Sequence, residues 1–144
     1  MRSAPDRPTI EDRLVSRIAR KKGDVFMRAD FEDLGGYDQV GRALRALMRK
    51  GQLLKAGYGL YVRARPSVID GAPTPVKGIR EVAREALGRI GVKTGLTELE
   101  QAYNAGRSTQ VTTGRTVGVF GRVRRRIVYN GTPLSYERVG PAPR

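Results

Sequence analysis

Apolar residues recur at helical spacing through much of the chain, and the period changes to two in its last third. Between Gly35 and Gly51, Val40, Leu44, Leu47 and Met48 stand at i, i+4, i+7 and i+8, one face of a helix. Arg42, Arg45 and Arg49 stand at i, i+3 and i+7 on a different face. Upstream, Thr9 is placed to cap a helix running to about Lys22, with Asp12 where a capping-box glutamate would stand. Leu14, Val15 and Ile18 form its apolar face, and Gly23 ends it after the basic turn Arg20-Lys21-Lys22. Val25-Phe26 is long enough only for a bridge strand. A short helix is expected from about Ala29 to Leu34, with Phe31 and Leu34 inward, and Gly35-Gly36 makes the turn into the arginine-bearing helix. After Gly51 comes a short hairpin, Leu53–Val62, whose tip is Gly57-Tyr58-Gly59.

The segment 63–75 breaks the pattern with Pro66, Gly71, Pro73 and Pro75, and a linker is expected at 66–75. Beyond it, Ile79, Val82, Ala83, Ala86, Leu87 and Ile90 predict an amphipathic helix over about Val76–Ile90, with Lys77, Arg80, Glu81, Arg84, Glu85 and Arg89 opposite. Thr97 caps a shorter helix to about Ala105, with Leu99 and Ala102 inward and Glu100 in the acidic first turn. The period then changes to two. Thr116–Phe120, Arg125–Tyr129 and Leu134–Val139 read as strands, with Asn130-Gly131 a hairpin turn between the last two. The expected fold is α+β. A loose arm (1–8) precedes a winged helix-turn-helix (9–65). The linker joins it to a C-terminal module of two helices and a β-sheet (76–139), and a Pro/Gly tail (140–144) follows.

Charge narrows the partners. The formal net charge is +14, and arginine supplies 22 of the 28 basic residues. Guanidinium groups grip phosphate through paired donors and can read guanine edges, so the expected partner is a polyanion. No apolar run is long enough to span a membrane and the opening residues hold no signal-like segment, so a cytoplasmic location is expected, on the nucleoid when bound to DNA. The chain has no cysteine and no histidine. That excludes disulfides and thiolate metal sites and removes the commonest general base and zinc ligand. Glu81, Glu85, Glu98 and Glu100 have basic neighbours that explain them by ion pairing. Ser108 has no histidine to activate it, and Gly114–Gly121 lacks the Gly-Lys-Ser/Thr ending of a phosphate loop. No catalytic residue, cofactor or metal is therefore expected, and the chain is not read as an enzyme.

The residues with DNA-binding chemistry fall on the third helix and the hairpin. Arg42, Arg45 and Arg49 have only Asp38 nearby as an acid, whereas a helix face built for solubility mixes signs. Tyr37 and Gln39 sit at the helix start, where two roles suit them: contact with a base, glutamine pairing with adenine, or capping and packing. Lys55 and Arg63 are candidates for the DNA backbone. Tyr58 either reaches a phosphate or sugar or simply occupies a turn between two glycines. In the second module Arg122, Arg124, Arg125 and Arg126, with Arg107 and Arg115, form a secondary basic surface. It faces a polyanion or is a charged, solvated strand edge.

The N-terminal half resembles the N-terminal domain of AbiEi-type antitoxins of abortive-infection type IV toxin–antitoxin systems. The matching residues are Val25-Phe26, Asp30-Phe31, Asp33-Leu34-Gly35, Val40, Ala43-Leu44, Leu47, Arg49-Lys50-Gly51 and Gly59-Leu60-Tyr61. Ala102, Asn104 and Ser108-Thr109-Gln110-Val111 are similar to that family's helix-to-strand junction, so the resemblance covers roughly residues 10–139. The chain lacks the proline that often follows Gln-Val there, and its 144 residues fall short of full-length antitoxins, which carry a larger C-terminal domain. The resemblance implies a transcriptional repressor that binds inverted repeats at its own promoter, in an operon with a nucleotidyltransferase-like toxin. The alternative is a protein-interaction module that neutralises a toxin or inhibits an acidic protein, with DNA binding minor. The sequence leaves open whether it binds as monomer or dimer.

Overall fold

Thr9 starts the first helix, α1 (Ile10–Arg20), by accepting the Asp12 backbone N–H on its hydroxyl at 3.1 Å while the Asp12 carboxylate accepts the Thr9 N–H at 3.0 Å. The box is complete with aspartate in the glutamate's place, and α1 ends two residues earlier than its composition suggests. The protein is seen here as a computed structural model that describes residues 7–110, 114–129 and 131–143. Most of the expected arm, Val111 of the family-like junction, Asn130 of the hairpin turn and Arg144 of the tail lie outside the described residues. The chain is a mixed α+β protein, with four α-helices, one 3-10 helix and small sheets among the described residues. It divides into two compact units, residues 1–55 with 59–76 and residues 56–58 with 77–144.

In the first unit α1 is followed by β1 (Val25–Met27), the 3-10 helix Arg28–Leu34, α2 (Tyr37–Arg49), β2 (Leu53–Gly57) and β3 (Leu60–Pro66). The sheet order is β1-β3-β2, with β1 antiparallel to β3 from Val25↔Val62 to Met27↔Leu60. The expected short helix is thus a 3-10 helix, the tighter form that serves as a connector between elements. Its Asp30 carboxylate accepts the Met27 N–H, and Arg17 on α1 forks onto Asp33 with bonds of 2.5 and 2.8 Å. That fork holds the Asp33 carboxyl below its ordinary pKa range.

The core of this unit joins Leu14 and Ile18 of α1, Phe26, Phe31, Leu34, and Val40, Ala43, Leu44 and Leu47 of α2 to Leu53 and Tyr61. Val15, expected inward, is exposed. The expected linker instead folds back onto β3. A turn closed by Ser67 N–H to the Ala72 carbonyl at 2.8 Å leads into β4 (Pro73–Pro75), antiparallel to β3 from Ala64↔Pro75 to Pro66↔Pro73. Proline lacks a donor but is tolerated on an edge strand, so the same residues that break a helix signal allow this short pairing.

In the second unit α3 (Ile79–Arg89) packs on a three-stranded sheet of order β5-β6-β9: β5 (Thr94–Gly95), β6 (Thr116–Phe120) and β9 (Ser135–Gly140). Val82, Ala83, Ala86 and Leu87 are buried, as are Val117, Val119, Ile127 and Leu134. A Cβ on Gly118 would stand 2.5 Å from the Gly95 carbonyl oxygen, so only glycine lets β5 approach β6 at this point. The strand expected at Leu134–Val139 pairs in parallel with β6, not with its hairpin neighbour. Of the expected hairpin the described residues form only a two-residue ribbon, β7 (Val128–Tyr129) with β8 (Thr132–Pro133), and Gly131 has φ +75°. Arg122–Ile127 forms no regular strand.

Thr97 caps α4 (Glu98–Asn104), none of whose residues is fully buried. Glu100 meets Arg80 at 3.0 Å and Arg84 at 2.8 Å. Burial opposes its charge, but the Thr97 backbone N–H, the Thr97 side chain and the two guanidiniums together hold the carboxyl below its ordinary value.

Two outcomes follow from this packing. Leu44→Ala empties a fully buried site and should cost about 2–5 kcal/mol, read as lost amide protection across α2 and β3 in hydrogen exchange. Unchanged protection would mean that α2 does not bury this face. The groups that favour the Glu100 carboxylate, Thr97, Arg80 and Arg84, surround it only in the folded state. Its contribution is present above the unfolded carboxyl pKa of about 4.3 and is lost as pH falls through the lower folded value. Thermal melts should therefore show an acid decline below about pH 4.5 that Glu100→Gln flattens, together with a lower Tm for that variant at pH 7. An identical acid limb in wild type and variant would contradict this.

Candidate nucleic-acid interface

The apolar stripe of α2 sets what its other faces present. With Val40, Ala43, Leu44 and Leu47 buried, Arg42, Arg45 and Arg49 are exposed, along with Tyr37, Asp38 and Gln39. Asp38 lies four residues before Arg42, a favourable spacing for an ion pair, yet among the described residues no acid pairs with any of the three arginines. Lys50, next along, is taken up by Glu11 at 2.5 Å. Like charges at i, i+3 and i+4 repel by about 0.2–0.5 kcal/mol per pair. The arginine face is thus a small cost to the isolated protein that an anion would relieve.

At the start of α2 the Gln39 side chain accepts the Gly36 N–H at 3.3 Å, the capping role. The residue as a whole remains exposed. Tyr37 is 67% exposed, with the Arg28 guanidinium over its ring at 3.7 Å from the centroid. Arg28, on the 3-10 helix, has no sequence signal that points to this place. Its position depends on the turn at Gly35-Gly36 bringing two elements together. At the hairpin, Lys55 is exposed and Tyr58 is 81% exposed, a side chain with its ring in solvent.

Arg63 differs from the expectation. Its guanidinium pairs with Asp24 at 2.8 Å, donates to the carbonyls of Ile18, Lys21 and Gly23 at 2.9 to 3.0 Å, and lies over the Phe26 ring at 5.3 Å. It gathers carbonyls at and just past the end of α1 and fastens them to β3. With Nε and Nη2 committed to the protein in this way, Arg63 is a structural residue and leaves the candidate interface.

In the second unit Arg107, Arg122, Arg124 and Arg126 are exposed, and Arg125 is half-buried. From Arg122 to Ile127 exposure alternates, so Arg122, Arg124 and Arg126 share the outer side while Ile127 is buried. The run is pinned by Tyr136, whose hydroxyl donates to the Arg125 carbonyl at 2.9 Å and whose pKa burial raises. Arg115 donates to the Thr132 carbonyl at 3.3 Å and is engaged with the protein.

A structural role for Arg63 has its own test. Arg63→Ala should destabilise the first unit by about 1–3 kcal/mol in denaturant unfolding, because several polar groups lose one partner, and Arg63→Lys should recover little of it. A variant of wild-type stability would return Arg63 to the solvent-facing set.

No helix among the described residues is long and apolar enough to cross a membrane. Compared with protein-family models, curated proteins and solved structures, the chain matches none.

Proposed function

We propose that this protein is a sequence-specific DNA-binding transcriptional repressor built on a winged helix-turn-helix. The observation that carries the reading is the exposed face Arg42, Arg45 and Arg49, unpaired by any acid among the described residues, on the helix that precedes a β-hairpin. The element order α1, β1, 3-10 helix, α2, β2, β3 with sheet order β1-β3-β2 supports it, because this arrangement suits a helix entering the major groove beside a hairpin on the backbone. Lys55 and Tyr58 stand on that hairpin, and the net charge of +14 supplies long-range attraction to DNA.

In this reading Arg42 and Arg49 reach base edges or phosphates of a half-site, and Gln39 and Tyr37 approach from the helix start. The exposed arginines of the second unit add backbone contacts that do not depend on sequence. The resemblance to AbiEi-type antitoxins extends the proposal to autoregulation in the cytoplasm: binding to inverted repeats upstream of its own gene, in a two-gene operon with a toxin. The role requires no cofactor, metal or catalytic group.

A gel shift of the full chain against its own upstream DNA, with a scrambled duplex as competitor, tests the reading. The upstream fragment should be retained selectively. Affinity should fall on the order of a thousandfold between roughly 50 and 200 mM salt. Arg42→Ala with Arg49→Ala should weaken retention by about 1–3 kcal/mol per residue if both read bases, without loss of fold. Binding that ignores salt and survives this double substitution would contradict the proposal.

A further inference from the structure

Gly41 is buried in the middle of α2, in a helix whose neighbouring small residues, Ala43 and Ala46, are better helix formers. Glycine at an interior helix position costs about 1 kcal/mol relative to alanine. Its surroundings account for it. A Cβ at position 41 would stand 2.9 Å from Arg28 Nη2, 3.5 Å from Arg28 Nη1 and 3.5 Å from Arg45 Nη1. Two guanidinium groups from different elements therefore converge on the same notch in the helix surface.

Nothing acidic lies between them, for neither arginine forms an ion pair among the described residues. Like charges at this spacing repel, and Arg28 is kept there by other means. Its Nη2 donates to the Tyr37 carbonyl oxygen, and its plane lies against the Tyr37 ring. Those contacts orient one fork in advance of binding, which lowers the entropy that a free arginine side chain would lose on contact. The pair thus places excess positive charge at one point. A guanine edge offers acceptors for one such fork, whereas a phosphate offers several oxygens and a negative charge.

We propose that Arg28 and Arg45, meeting over the notch at Gly41, form a clamp for one backbone phosphate of duplex DNA, with Tyr37 as the support that positions Arg28. The inference rests on α2 being the DNA-facing helix. The clamp reads no sequence. It fixes the depth and register at which Arg42 and Arg49 approach the duplex.

Fluorescence anisotropy of the full chain on a labelled random-sequence duplex, repeated over a salt series, tests the clamp. Arg28→Ala should weaken binding about tenfold and lower the salt slope by about one unit. The loss should be the same factor on the upstream fragment. Arg28→Lys should not restore binding, since an ammonium lacks the planar fork. Gly41→Ala gives the sharper test. The methyl meets only the ends of two flexible side chains and crowds that of Arg28 most, so Arg28 is displaced at little cost and the Tm should hold or rise while affinity falls. If Arg28→Ala and Gly41→Ala both bind as wild type while Arg42→Ala/Arg49→Ala is weakened, the clamp is wrong and the DNA-facing reading of α2 stands. If only Gly41→Ala binds as wild type, the notch is wrong. If Arg42→Ala/Arg49→Ala is unaffected while Arg28→Ala is weakened, the clamp holds and the assignment of the α2 face falls.

Discussion

Rotation of α2 about its axis is fixed by the side chains it buries, and the rest of the interface follows from that angle. Val40, Leu44 and Leu47 are sunk against α1, the 3-10 helix and β1–β3, leaving no freedom to turn the arginines inward. A half-turn would bury three guanidiniums and expose three large apolar side chains. Each apolar side chain accounts for about 1.5–3 kcal/mol of burial, and each unpaired buried charge costs several kcal/mol more. The hydrophobic core therefore aims the cationic face, and no arginine–acid contact is needed to hold it.

Within each unit the remaining charges divide into those the protein uses for itself and those it leaves open. Arg17, Lys50 and Arg63 are committed to Asp33, Glu11 and Asp24, and Arg80 and Arg84 to Glu100. These pairs tie α1 to the 3-10 helix and to the end of α2, and β3 to the loop before β1, in one unit, and α3 to α4 in the other. Arg42, Arg45 and Arg49 are left uncommitted, and they are the ones on the exposed side of α2. Net charge alone cannot separate the two groups, because a committed and an uncommitted arginine contribute equally to it.

Local patterns in the sequence were legible where a single element determines the outcome. The apolar stripe of α2, the Thr9 and Thr97 caps and the β6 strand all follow from spacing within one element. What escaped depends on partners far along the chain. Arg63 looks like a hairpin cation until Asp24, thirty-nine residues earlier, is beside it. The alternation at Ser135–Gly140 shows a strand but not that its neighbour is β6 in parallel. Prolines at 66–75 signal a break equally for a linker and for a turn into an edge strand. The Arg28–Gly41 contact is likewise invisible, since a glycine within a helical pattern has several possible reasons.

The central claim is that an exposed arginine face on α2 engages DNA while Arg63 remains part of the scaffold. Side-chain Nε–H signals of the 15N-labelled full chain, followed as duplex DNA is added, address it directly. The account predicts that the signals of Arg42, Arg45, Arg49 and Arg28 move together and saturate with the same affinity, and that the Arg63 signal stays in place. Shifts confined to Arg107 and Arg122–Arg126, with the α2 arginines unmoved, would contradict it.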